Sequence, residues 1–238
     1  MTPAWLQAVW SITRPEGPQA GRVAGLWWTN FYTLGAAFVL TMAILGLALA
    51  RSRRGRHLND AQSKRLVIVA GAALPLAVLL GLLVYSVIVA RAYSTEPYQN
   101  ATRIEVEGKQ WWWDVRYLDA SKQTIARTAN EIHVPVGKPV LFVLKSHDVI
   151  HSFWAPNLNG KTDLIPGRTN SQWLQAARPG IYRGQCAEYC GMQHAHMGFE
   201  VVADPRFEAW LEHQKQGAPA PQTEAARRGK QIFVTGPC

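Results

Sequence analysis

Two thiols, an imidazole and a thioether fall close together in this 238-residue chain, as Cys186, Cys190, His194 and Met197. A further histidine, His151, lies upstream in His-Ser-Phe-Trp. Soft sulfur together with imidazole suits copper. One cysteine with His and Met would describe a single blue-copper centre, whereas two cysteines can bridge two copper ions. Zinc competes, because Cys2His2 is a common tetrahedral set. The cysteine spacing fits zinc, but the histidines lie on either side of the cysteines, and Met197 would have no role. A Cys186–Cys190 disulfide is a third reading, and it leaves His194 and Met197 unexplained.

A regular strand would send alternate side chains to opposite faces, so 186–197 reads as a loop. The segments that must hold it are strand-like. Residues 103–107 alternate polar and apolar, and 131–134 and 139–144 are rich in β-branched and aromatic residues. Gly108, Pro135, Gly137, Pro156, Pro166, Gly167, Pro179 and Gly180 punctuate them. The expectation is an all-β sandwich or barrel carrying His151 after one strand and the other ligands on a separate loop. Residues 205–215 read as a short amphipathic helix with Phe207, Trp210 and Leu211 on one face. Residues 216–222 read as a linker, and 224–233 resume a helical pattern.

Two apolar blocks, 27–50 and 66–90, contain no charged residue. Each has the roughly 20 residues needed to cross a bilayer as a helix. Between them, Arg51, Arg53, Arg54, Arg56, Lys64 and Arg65 stand against one acid, Asp60. The positive-inside rule makes 51–65 a cytoplasmic loop and puts both flanks outside. The net charge of +9 is therefore a matter of topology rather than nucleic-acid binding, and beyond Ala90 acids and bases nearly balance. Residues 1–26 lack an early basic region and a continuous apolar core. They read as an external arm.

His151-Ser-Phe, Lys161-Thr-Asp-Leu-Ile-Pro-Gly-Arg168 and the 184–197 segment together resemble subunit II of the haem–copper cytochrome c oxidases. Gly108-Lys-Gln-Trp-Trp-Trp113 resembles that family's aromatic stretch. The resemblance implies a two-helix transmembrane hairpin followed by a cupredoxin-like domain over 93–213. It implies a binuclear copper centre of the CuA type. His151 and His194 would each bind one copper, Cys186 and Cys190 would bridge both, Met197 would be a weak axial ligand, and Glu188 would offer its backbone carbonyl. The Glu188 carboxylate would reach magnesium or manganese at the interface with subunit I. Trp111 would mark where electrons enter. Asp163 and Arg168 are candidates for that interface or for a simple turn.

The implied partners are oxidase subunits I and III, a c-type cytochrome as donor and the lipid bilayer, and the implied place is the bacterial inner membrane. Members of the mitochondrial type place a glutamate and a tryptophan shortly before a proline in the second helix. Residues 66–74 before Pro75 carry neither, which argues against proton uptake through this subunit. Residues 224–238 resemble the opening of a class I cytochrome c domain, with Cys238 as the first haem-attaching cysteine and 214–223 as linker. Such a tethered donor would not need long-range steering. The alternatives are a copper-containing nitric oxide reductase subunit, with the same centre, and a membrane-tethered copper chaperone. A soluble nitrous oxide reductase fits poorly with two spans, and a quinol oxidase subunit would lack the ligands. His147 and His196 are read as supporting or surface groups, His133 as an ordinary strand residue, and Trp112 and Trp113 as packing.

Overall fold

The computed structural model describes residues 8–9, 12–52, 59–93, 101–217 and 219–236. After the two-residue strand Ala8–Val9 come two long helical stretches, then a two-sheet β-sandwich, then two short helices. Helix α1 spans Pro18–Ser52. It starts nine residues before the apolar block, so the last part of the expected external arm is helical. Pro18 at the first helical position has its φ pre-set and forfeits no bond. Ala20 and Ala24 are buried, and the Ala20 N–H donates to the Leu158 carbonyl at 3.3 Å. The first turns of α1 therefore dock on the sandwich rather than lying free. Just before them, Arg178 grips the Glu16 carboxylate with two nitrogens at 2.6 and 2.5 Å.

Helix α2 (Asp60–Ile68) runs through a π-type turn, Val69–Ala73, into α3 (Leu74–Tyr93). The helix thus begins before the expected span, inside what read as loop. Asn59 accounts for it: its side chain accepts from the Gln62 N–H, and Gln62 reaches back to the Asn59 N–H. This capping box satisfies two orphan donors. The π-type turn precedes Pro75, whose missing N–H removes one α-helical bond. Both stretches are long and apolar enough to cross a membrane. Arg51, Lys64 and Arg65 sit on the helices. Arg53, Arg54, Arg56 and most of the 91–100 connector lie outside the described residues.

One sheet contains β5 (Glu131–Pro135), β11 (Gly198–Asp204), β10 (Gly180–Cys186), β7 (His151–Trp154) and β8 (Thr162–Leu164) in that order, with β1 (Ala8–Val9) added beside β10. The other contains β4 (Thr124–Ala129), β3 (Trp112–Leu118), β2 (Thr102–Lys109), β6 (Val140–Ser146) and β9 (Asn170–Leu174). Alternation sets the faces: Ile104 and Val106 point inward from β2, while Glu105 and Glu107 point outward. Fully buried Trp113 meets Phe153 and Phe199 edge-on, with ring centroids at 5.7 and 5.3 Å. Phe153 and Phe199 stack at 4.3 Å. Burying each such ring contributes about 1.5–3 kcal/mol. Gly184 makes room, because a Cβ there would overlap the Phe199 ring. Helix α4 (Phe207–Lys215) closes one end, burying Phe207 and Leu211. Helix α5 (Glu224–Thr235) is capped by Thr223 and is exposed along its length.

Candidate metal centre

Strands β7 and β10 are antiparallel neighbours, with Cys186 opposite Phe153. Residues two apart on a strand share a face, so His151 and Phe153 face the same way as Cys186. The imidazole Nδ1 of His151 lies 3.9 Å from Cys186 Sγ. Sheet register thus joins two candidate ligands from distant parts of the sequence.

The chain then leaves β10 as a loop. Cys190 Sγ lies 3.8 Å from Cys186 Sγ. Both thiols are free and buried, and that separation far exceeds the roughly 2.05 Å of a disulfide bond. Gly191 takes φ +121°, which favours glycine, and turns the loop back. One turn of 3-10 helix, His194–His196, brings His194 Nδ1 to 3.5 Å from Cys190 Sγ. Met197 Sδ lies 3.7 Å from the same sulfur. The Met197 carbonyl accepts from the Cys186 N–H at 2.9 Å, locking the loop's two ends together.

The order of donors is therefore His151, Cys186, Cys190, His194. The donor atoms of His151, Cys186 and Cys190 all lie within 4.8 Å of one another, and His194 falls outside that mutual group. The backbone carbonyl of Glu188 is 3.2 Å from Cys186 Sγ. Its carboxylate instead faces Lys161 at 3.3 Å, and Lys161 also meets Asp163 at 3.6 Å. Trp111 is half-buried beside the loop, its indole N–H 3.3 Å from the Cys190 carbonyl. Trp113 lies beneath the site, its ring centroid 6.0 Å from that of His151. Arg168 closes a turn through its N–H on Ile165. His147 is largely exposed, as is His196, and His133 stacks on Trp210 at 4.0 Å. Cys238 lies outside the described residues.

Two contributors escaped the sequence reading. Asp148 Oδ1 meets His151 Nε2 at 2.7 Å. A carboxylate only accepts, so Nε2 carries a proton, and Nδ1 is the ring nitrogen left facing Cys186. Gln110 donates its side-chain N–H to the Cys190 carbonyl at 2.8 Å. An Asp three residues before a His is too common to single out, and Gln110 sat in a stretch notable for its tryptophans.

The electrostatics favour a bound cation. Burial opposes ionisation of Cys186, but His151 and nearby backbone groups outweigh it and bring the thiol down. Burial and the neighbouring Cys186 charge push the Cys190 thiol up. One thiolate thus opposes the second, and positive charge between the sulfurs would favour both. Burial also opposes a charged His151, yet Cys186 and Asp148 raise it overall. Two thiols, two imidazoles, a thioether and a carbonyl form a donor set that fits copper.

The family described as "Cytochrome C oxidase subunit II, periplasmic domain" matches residues 118–204. Cytochrome c oxidase subunit 2 of Alkalihalophilus pseudofirmus is 31% identical over 236 residues, covering 94% of this chain and 68% of that protein. The alternative cytochrome c oxidase subunit 2 of Bradyrhizobium diazoefficiens is 31% identical over 159 residues, covering 55% of this chain and 57% of that one. The chain thus spans between about half and two thirds of these relatives' length. Among solved structures, the periplasmic domain of subunit II of cytochrome oxidase (CoxB) of Bradyrhizobium japonicum is 35% identical, with a TM-score of 0.46, covering 51% of this chain and 98% of that one.

Proposed function

The chain belongs to the cytochrome c oxidase subunit II family, and from that premise we propose that it is the electron-accepting subunit of a bacterial terminal oxidase. One observation carries the reading: two free sulfurs 3.8 Å apart, with an imidazole against each, His151 on Cys186 and His194 on Cys190. A single tetrahedral ion takes four donors, whereas two thiols, two imidazoles, a thioether and a carbonyl converge here. A pair of copper ions bridged by both thiolates matches this arrangement better than one zinc. When bound, such a centre supplies one-electron transfer with little geometric change. His151, Cys186, Cys190, His194 and Met197, with the Glu188 carbonyl, would hold the copper.

The Glu188 carboxylate, already facing Lys161 at the surface, is the candidate for a magnesium or manganese ion shared with subunit I. Trp111, between the surface and the Cys190 carbonyl, is the candidate point where electrons enter. The two apolar helices anchor the subunit beside subunit I in the bacterial inner membrane, with subunit III as a further neighbour. With the basic residues between the helices kept inside, the sandwich lies outside, where a c-type cytochrome delivers electrons. The chain takes one electron from that donor and gives it to haem in subunit I, where oxygen is reduced. A chaperone that hands copper on would need accessible ligands, and His151, Cys186 and Cys190 are all buried.

Stopped-flow mixing of the copper-loaded full chain with a reduced c-type cytochrome tests this. One haem should be oxidised per chain, with no oxygen consumed by the chain alone. A donor that stays reduced would contradict the proposal.

A further inference from the structure

The candidate ligands come from two separate parts of the fold. His151 belongs to β7, a strand of the sandwich. Cys190, His194 and Met197 belong to the loop beyond β10. Something must fix the distance between strand and loop if two metal ions are to fit without rearrangement.

We propose that Gln110 is a positioning residue that braces these two halves against each other, an inference that rests on the copper reading above. Gln110 lies in the turn between β2 and β3 and touches both halves. Its backbone N–H donates to Asp148 Oδ2 at 2.8 Å. The other oxygen of Asp148 holds His151 Nε2 at 2.7 Å and accepts the Val149 N–H at 2.7 Å. The side-chain amide of Gln110 donates to the Cys190 carbonyl at 2.8 Å. A single residue therefore carries one donor for each half of the centre. The Trp111 indole reaches the same carbonyl only at 3.3 Å, so Gln110 makes the shorter of the two contacts.

The surroundings are shaped to this contact. A Cβ on Gly191 would sit 3.1 Å from Gln110 Nε2, so the bare glycine lets the amide close on the loop. A Cβ on Gly108 would sit 2.8 Å from the His151 ring, so glycine there lets the imidazole lie against β2. Gln110 itself is exposed and contributes nothing to the hydrophobic core. Its place is explained by what its two donors hold.

The test uses the full chain in lipid nanodiscs, as wild type, Gln110→Leu and Gln110→Glu. Both variants keep the backbone N–H and lose the side-chain donor. The metal-free proteins should melt together, since an exposed substitution rarely moves stability much. In competition with a copper chelator, both variants should hold copper about tenfold more weakly than wild type, the lower end of the range for losing a partner behind a metal ligand. The copper hyperfine pattern in electron spin resonance should also change. Variants indistinguishable from wild type in both readouts would overturn the brace while leaving the copper centre intact. A wild type that takes up no copper would overturn the proposed function and the brace with it.

Discussion

His151 Nδ1 lies 3.9 Å from Cys186 Sγ although 35 positions separate the two residues. The pairing of β7 with β10, not local sequence, makes that contact, and the loop 187–197 then adds Cys190, His194 and Met197 around it. Half the centre is thus carried by the rigid sheet, and half by a loop pinned at both ends through the Cys186 N–H and the Met197 carbonyl.

Replacing one bridging sulfur should destroy the paired character of the site without unfolding the sandwich. Cys190→Ser is expected to hold fewer than two copper ions per chain and to lose any electron spin shared between them. Metal analysis with electron spin resonance checks it. Retention of both ions and of a shared spin would show that Cys190 does not bridge.

Met197→Leu separates packing from ligation. Met197 is 1% exposed, and Met and Leu are close in volume, so the metal-free protein should lose less than about 1.5 kcal/mol. The copper content should hold while the reduction potential shifts, because an axial thioether tunes it. Redox titration decides, and an unchanged potential would remove Met197 from the ligand set.

The Tyr117 hydroxyl accepts the His133 N–H at 2.7 Å and donates to the His133 carbonyl at 3.1 Å. It is a polar tie between the two sheets beneath α4. Tyr117→Phe would leave a buried N–H unpaired, at a cost of about 1–3 kcal/mol. Chemical denaturation measures this. No loss would mean that strand pairing already satisfies that N–H.

Asp114 is fully buried on the outer side of β3. Burial would raise its carboxyl, but hydrogen bonds from Arg127, Arg116 and Lys109 overcome this and hold it at about 2, below the ordinary 3.8. A folded-state value below the unfolded one stabilises at pH above about 4, and the gain disappears as pH falls through about 2. Asp114→Asn should therefore cost on the order of 2 kcal/mol at neutral pH, with the gap to wild type closing across that acid window. A gap independent of pH would place the loss in packing instead.

The sequence made legible whatever depends on residue type and short spacing. The apolar blocks, the strand alternation of 103–107 and the Cys186–Met197 run each announce themselves locally. Helix starts were less clear. Asn59 and Gln62 form their capping box within a charge-rich stretch that read as loop, and Pro18 begins α1 because its first turns find the sandwich at Leu158. Asp148 and Gln110 were illegible for another reason. Their roles exist only once β2, β7 and the ligand loop converge, and neither residue type is unusual where it stands.

The account rests on two sulfurs sharing two metal ions. The most direct measurement is copper content together with electron spin resonance on the purified full chain. Two copper ions per chain and one unpaired electron shared between them is the predicted result. A single exchangeable copper, zinc alone, or Cys186 and Cys190 oxidised to each other would contradict it.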